Sequence, residues 1–99
     1  MKIKTETISL STQGFTDMVD LTGRLEKLVK AAKMTEGQMT VFIPGSTGGV
    51  TTIEYEPGLQ QDLPEILEKI APMNAPYLHN KTWHDGNGAS HLRSALIGP

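Results

Sequence analysis

The chain contains no cysteine. Disulfides and thiolate-bound metals are therefore excluded, and any metal would need histidine or carboxylate ligands. No run of about eighteen apolar residues occurs, so no segment reads as a membrane span. Concentrated positive charge is missing too. Nine Lys and Arg stand against eleven Asp and Glu, giving a net charge of −2 with both signs mixed along the sequence. Displacing counterions from nucleic acid needs a dense basic face, so no nucleic-acid partner is expected. Residues 1–6 alternate apolar or Thr positions with charge and lack the apolar stretch of a signal peptide. The cytoplasm is the expected compartment.

What is present is ordinary for a globular chain of 99 residues, with 37% hydrophobic and 20% charged residues. That length fits one domain over 1–99 with a modest core. Residues 2–10 have a period near two and predict a strand, with a turn at 11–14. Leu25, Leu28, Val29 and Ala32 share one face of a helix predicted over 22–34, with Arg24, Glu26, Lys27, Lys30 and Lys33 opposite. Asp20 or Thr22 would cap its start, and Gly37 follows its end. The segment 39–44 (MTVFIP) predicts an interior strand, and 50–55 (VTTIEY) resumes in extended form, a pattern that suggests a hairpin. Pro57 starts a second helix whose apolar stripe is Leu59, Leu63, Ile66, Leu67 and Ile70, with Pro64 as a kink or an alternative start. Residues 71–90 show almost no periodicity, and 90–96 predict a short last helix capped by Asn87 or Ser90. The predicted order has few strands for a sheet that must cover its helices.

Chemistry concentrates in 79–91. All three histidines, His79, His84 and His91, fall there, beside the single tryptophan, Trp83. Imidazole exchanges its proton near neutral pH and also binds metals. Asp85 could orient an imidazole, act as a base or ligate, while Gly86 and Gly88 permit close backbone approach. The competing reading is a solvated loop around an Asp-Gly-Asn-Gly turn. The spacings between the histidines match no common zinc pattern, so metal ligation by His79, His84 and His91 competes with acid/base or hydrogen-bonding use of the same side chains. A second constellation is Pro44-Gly45-Ser46-Thr47-Gly48-Gly49. Ser46, Thr47 and Gly48 could form a backbone nest for phosphate, although a plain hairpin turn explains the segment nearly as well. Glu54 and Glu56 would share a sheet face if the strand ran that far, as paired carboxylates for acid/base work or as solvated charges.

Two stretches, PGSTGGVTTIEYEPGLQQDL and YLHNKTWHDGNGASHLRSALIGP, resemble the YjbQ family over nearly the whole chain. The resemblance implies an α+β fold, a compact sandwich of β-strands with flanking helices, assembled as a homotrimer with sites near subunit boundaries. It implies a weak, secondary thiamine-phosphate synthase activity, a transferase reaction joining a pyrimidine pyrophosphate to a thiazole phosphate. Ser46, Thr47 and Glu54 match the family's Ser/Thr turn and acidic position, and His79 and His91 match its histidines. Residues 84–88 match one branch only. On this basis the catalytic expectation falls on Glu54, Asp85 and His91, and phosphate binding on Ser46, Thr47 and Gly48. The three histidines are the expected holders of any divalent metal, zinc or magnesium. Gly45 and Ala89 stand where many relatives have histidine, which weakens the metal and catalytic readings. They favour the alternative of a non-catalytic oligomer that holds a phosphorylated metabolite or metal. Relatives also continue beyond the Leu-Ile-Gly-Pro segment into further strands, whereas this sequence stops at Pro99. An incomplete sheet with an open edge is the expectation.

Overall fold

The computed structural model describes residues 1–98 and separates into two compact units, Met1–Met39 and Thr40 onward. The first unit holds one helix, α1 (Thr22–Ala32), close to the predicted 22–34. Asp20 Oδ1 accepts from the Thr22 N–H at 3.0 Å, outside the N-cap position itself, which Leu21 occupies. The backbone and side chain of Thr22 both donate to Asp20 and hold its carboxyl below the usual range. That contribution is present above ordinary carboxylate pKa values and is lost as the pH falls through the lowered one. At the other end Lys33, with φ 53°, makes the left-handed cap expected near Gly37. Lys2 Nζ donates to the Ala32 carbonyl at 2.6 Å and satisfies one of the acceptors a helix end leaves open. Ala32 is buried, Leu25 and Leu28 are half-buried, and Val29 is exposed.

The second unit carries α2 (Pro57–Ile70), α3 (Leu78–Trp83) and α4 (Gly88–Ile97). Pro57 is the first residue of α2, as its chemistry predicts. Its N-cap is Glu56, whose carboxylate accepts from the Leu59 and Gly58 N–H groups. Glu56 is therefore spent on a helix terminus and does not pair with Glu54 across a sheet face. Pro64 sits inside one continuous helix, so the Gln60 carbonyl receives no helical N–H. Of the predicted stripe, Leu67 is buried and Leu59 and Leu63 half-buried, whereas Ile66 and Ile70 are exposed. The stretch expected to be irregular contains α3, and α4 begins two residues earlier than predicted.

The expected sandwich of β-strands does not form: among the described residues there are four helices and no strand. The segments 2–10, 39–44 and 50–55 run without a ladder. Alternation encodes which side chains would share a face, but a strand exists only when a second backbone takes up its N–H and C=O groups. Among these segments alternating burial is seen only at 41–43, where Val41 and Ile43 are half-buried around an exposed Phe42. Among the described residues no large side chain is fully buried. The buried apolar residues are Ala32, Leu67, Ala71 and Ala89.

Small residues do the close packing in the second unit. The backbone of Gly88 lies so near α3 that a Cβ there would sit 2.8 Å from Tyr77 Cβ and 3.0 Å from Asn80 Oδ1. Gly88→Ala should therefore cost about 1–3 kcal/mol by overpacking. Chemical denaturation of the two proteins would measure it, and equal midpoints would mean that α3 and α4 do not meet this closely.

Candidate functional site

The helical hairpin formed by α3 and α4 gathers most of the polar residues singled out in 79–91. His79 is the second residue of α3, and His91 lies one turn into α4. Their rings meet edge to face with centroids 4.5 Å apart. His79 Nε2 is 3.4 Å from Asp85 Oδ1, an electrostatic contact slightly too long for a strong hydrogen bond. Between them stands Asn87, whose side-chain amide is 2.9 Å from His79 Nε2. Turned with its NH₂ inward, Asn87 donates to His79 Nε2 and, at 2.8 Å, to Asp85 Oδ1. Neutral His79 then carries its proton on Nδ1. The opposite orientation would set Asn87 Oδ1 against the Asp85 carboxylate oxygens at 2.8 and 3.2 Å, so the NH₂-inward orientation is the one that satisfies both neighbours.

This arrangement overrides an ordinary helix start. Asn87 occupies the N-cap of α4, yet its side chain makes no capping bond. The Gly88 N–H is taken instead by Asn80 Oδ1 at 2.9 Å, from α3. A capping bond is worth about 1 kcal/mol, and the Asn87 amide is directed to His79 and Asp85 in its place.

The imidazole pair borders an open cleft of about 560 Å³ lined by Pro76, Tyr77, Leu78, His79, Gly88, His91 and Leu92. Tyr77 is fixed by its hydroxyl, which donates to the Pro72 carbonyl at 2.5 Å. The walls are largely apolar, and the two imidazoles are the polar groups in the lining. Asn80, Asn87 and Tyr77 are the site residues that sequence reasoning missed. The available signal was their place: Asn80 and Asn87 lie between His79 and His91, inside the same short window.

Other expected site residues fall elsewhere. His84 ends α3 in the left-handed conformation, with φ 58° and its N–H on the Asn80 carbonyl, and is exposed. Glu54 is exposed in the stretch before α2, where its carbonyl accepts from the Glu56 N–H at 3.0 Å. Neither belongs to the cleft lining. Among the described residues no group of three or more His, Asp or Glu side chains is placed to hold a metal ion. The 45–49 segment packs along α4: Ser94 Oγ donates to the Gly48 carbonyl, and a Cβ on Gly49 would meet Ile97 Cγ2 at 2.8 Å. Gly49 thus serves a close approach to the helix, and Ser94 stands one turn beyond His91. Ser46 and Thr47 are exposed. Arg93, on α4, is buried, donating from Nε to the Ala71 carbonyl at 2.9 Å and from Nη2 to Glu68 at 2.8 Å.

Fold and site together define a small helical unit with an imidazole-edged, mostly apolar cleft. The chain belongs to the UPF0047 protein YjbQ-like family, whose model matches residues 6–99. It is 31% identical over 98 residues to a UPF0047 protein of Methanothermobacter thermautotrophicus, covering 99% of this chain and 67% of that one. Against a UPF0047 protein of Archaeoglobus fulgidus the identity is 30%, covering 92% of this chain and 68% of the relative. The UPF0047 protein YugU of Bacillus subtilis is 25% identical, with 94% and 69% covered. The chain spans about two thirds of the length of these relatives. No solved structure matches it. Among the described residues no helix is long and apolar enough to cross a membrane.

The position of His84 generates a stability test. A β-carbon in the left-handed region costs about 1–2 kcal/mol, part of which glycine regains at a helix C-terminus. His84→Gly should raise stability by roughly 0.5–1 kcal/mol, read as a higher midpoint in denaturant. A clear loss would mean that the imidazole makes a contact of its own.

Proposed function

We propose that the α3–α4 cleft binds a small phosphorylated metabolite and that the imidazole pair handles a proton on it. The observation that carries this reading is the Asn87 side chain. It forgoes capping α4 and instead bridges His79 to Asp85, an arrangement that orients the imidazole beside a carboxylate. In this reading His91 faces the ligand and His79 is its partner, oriented by Asn87 and Asp85. Ser46, Thr47 and the Gly48 backbone supply phosphate contacts, supported by the bond that ties Gly48 to α4 beside the cleft. No step is routed through a divalent metal, and Glu54 and His84 are left out of the chemistry.

Thiamine-phosphate synthesis from a pyrimidine pyrophosphate and a thiazole phosphate is assigned the rank of a side reaction. A departing diphosphate needs metal or cationic groups close by, and Arg93 is committed to Glu68 and Ala71. The second reading, a non-catalytic holder of the same metabolite, is favoured by the apolar walls of the cleft. Self-association as a homotrimer is part of the proposal, supported by the exposed Phe42, Ile53 and Tyr55 on alternating segments that have no ladder.

The test is titration with inorganic phosphate and with thiazole phosphate, followed by turnover assays with the pyrimidine pyrophosphate. His91→Ala should abolish turnover if a proton is moved, and should only weaken binding if the protein is a holder. Equal binding by parent and variant would move the site elsewhere. Asn87→Ser keeps a good N-cap residue but removes the bridge, so stability should hold within about 1 kcal/mol while ligand affinity falls. Native mass spectrometry before and after chelation should give one unchanged trimer mass. Loss of a defined metal mass would return the histidines to metal binding.

A further inference from the structure

Arg93 is the one buried charged residue among those described, 7% exposed, and the cleft chemistry does not use it. Its position on α4 is informative. Ala89 and Arg93 are buried one turn apart on one face of the helix, while His91 and Ser94 lie on another. The guanidinium reaches the end of α2, with Nε on the Ala71 carbonyl and Nη2 on Glu68 Oε2. A planar guanidinium bonded at two of its nitrogens fixes direction as well as distance. It thereby sets both the rotation of α4 about its axis and its height along α2.

The same carboxylate governs the opposite wall. The Met73 N–H is 3.2 Å from Glu68 Oε2 and 3.3 Å from Oε1, at the start of the segment leading into α3. Within that segment Tyr77 is tied back to Pro72, and Tyr77 packs against Gly88 at the head of α4. Glu68 thus connects α4 through Arg93 and the approach to α3 through Met73. These are the two elements that carry His91 and His79.

The geometry points to Arg93 as a positioning residue, with Glu68 as its anchor, that sets the His79–His91 contact at the cleft. This deepens the reading of the cleft as the functional site and rests on it. Arg93 touches no ligand in this scheme. It acts by holding the face of α4 opposite to the one that presents His91.

The test uses the full chain and two independent readouts. The ring-to-ring nuclear Overhauser effect between His79 and His91 reports the contact itself. The affinity for inorganic phosphate reports the cleft. Arg93→Met should lose the ring contact and weaken phosphate binding while helix content by circular dichroism is retained, and Arg93→Lys should restore part of both. Glu68 is half exposed, so Glu68→Ala can be made without opening a cavity and decides the matter if Arg93→Met fails to fold. It should weaken the ring contact, and Glu68→Gln should recover it. A folded Arg93→Met or Glu68→Ala protein whose ring contact matches the parent overturns the proposal. Ring contacts that respond as expected in a protein that never binds phosphate would uphold the positioning role and sink the ligand assignment instead.

Discussion

The second unit is organised around a buried guanidinium that must be satisfied. Removing a charged group from water is costly unless hydrogen-bond partners replace the water. Arg93 therefore accepts few environments. It needs a carboxylate and a carbonyl at fixed distances, and both come from the end of α2, Glu68 and Ala71. The apolar residues around it are small: Ala71 is 2% exposed and Ala89 1%. Alanines pack closely but specify little about helix rotation, because they present no shape to interlock. Polar geometry supplies the direction that a larger core would otherwise supply.

The two asparagines make the same point at the cleft. The Asn80 side chain crosses to the Gly88 N–H, and Asn87 crosses back to His79. Each group does locally improper work, since Asn87 stands at a cap and does not cap. An N-cap that forgoes its own helix is a local rule broken, and such breaks concentrate where function competes with stability. Gly88 completes the arrangement, because only the absence of a side chain lets α4 start against Tyr77 and Asn80.

The clustering of His79, Asp85 and His91 was legible in the sequence because it is close in sequence; a thirteen-residue window cannot spread its side chains far. Their mutual geometry was not. Residues 78–83 are too few to display a helical period, so α3 and the role of Asn80 leave no periodic trace, and Asn87 reads only as a candidate cap of the last helix, the position it occupies without making a capping bond. The helices α1 and α2 were readable because their hydrogen bonds close within four residues and their punctuation is local, with Pro57 at a start and Thr22 beside Asp20. Glu56 misled for a related reason: an acidic residue two places from another looks like a pair on a strand, yet just ahead of a proline it caps a helix. The expected strands depended on non-local partners, and periodicity carries no information about whether a partner backbone is at hand.

The metal expectation and the acid/base expectation drew on the same three histidines, and geometry separates them through the third. A tetrahedral site needs its ligands to converge on one point at about 2 Å. His84 is taken out of that convergence by its backbone, since it terminates α3 with positive φ and an exposed side chain. Its partners meet ring edge to ring face, with centroids 4.5 Å apart. An edge-to-face pair is favourable in itself, because the π-face of one ring attracts the electropositive edge of the other. Asp85 stands beside His79, 3.4 Å from its Nε2. The residues that remain together after this sorting are His79, held by Asn87 beside Asp85, and His91, whose ring meets it.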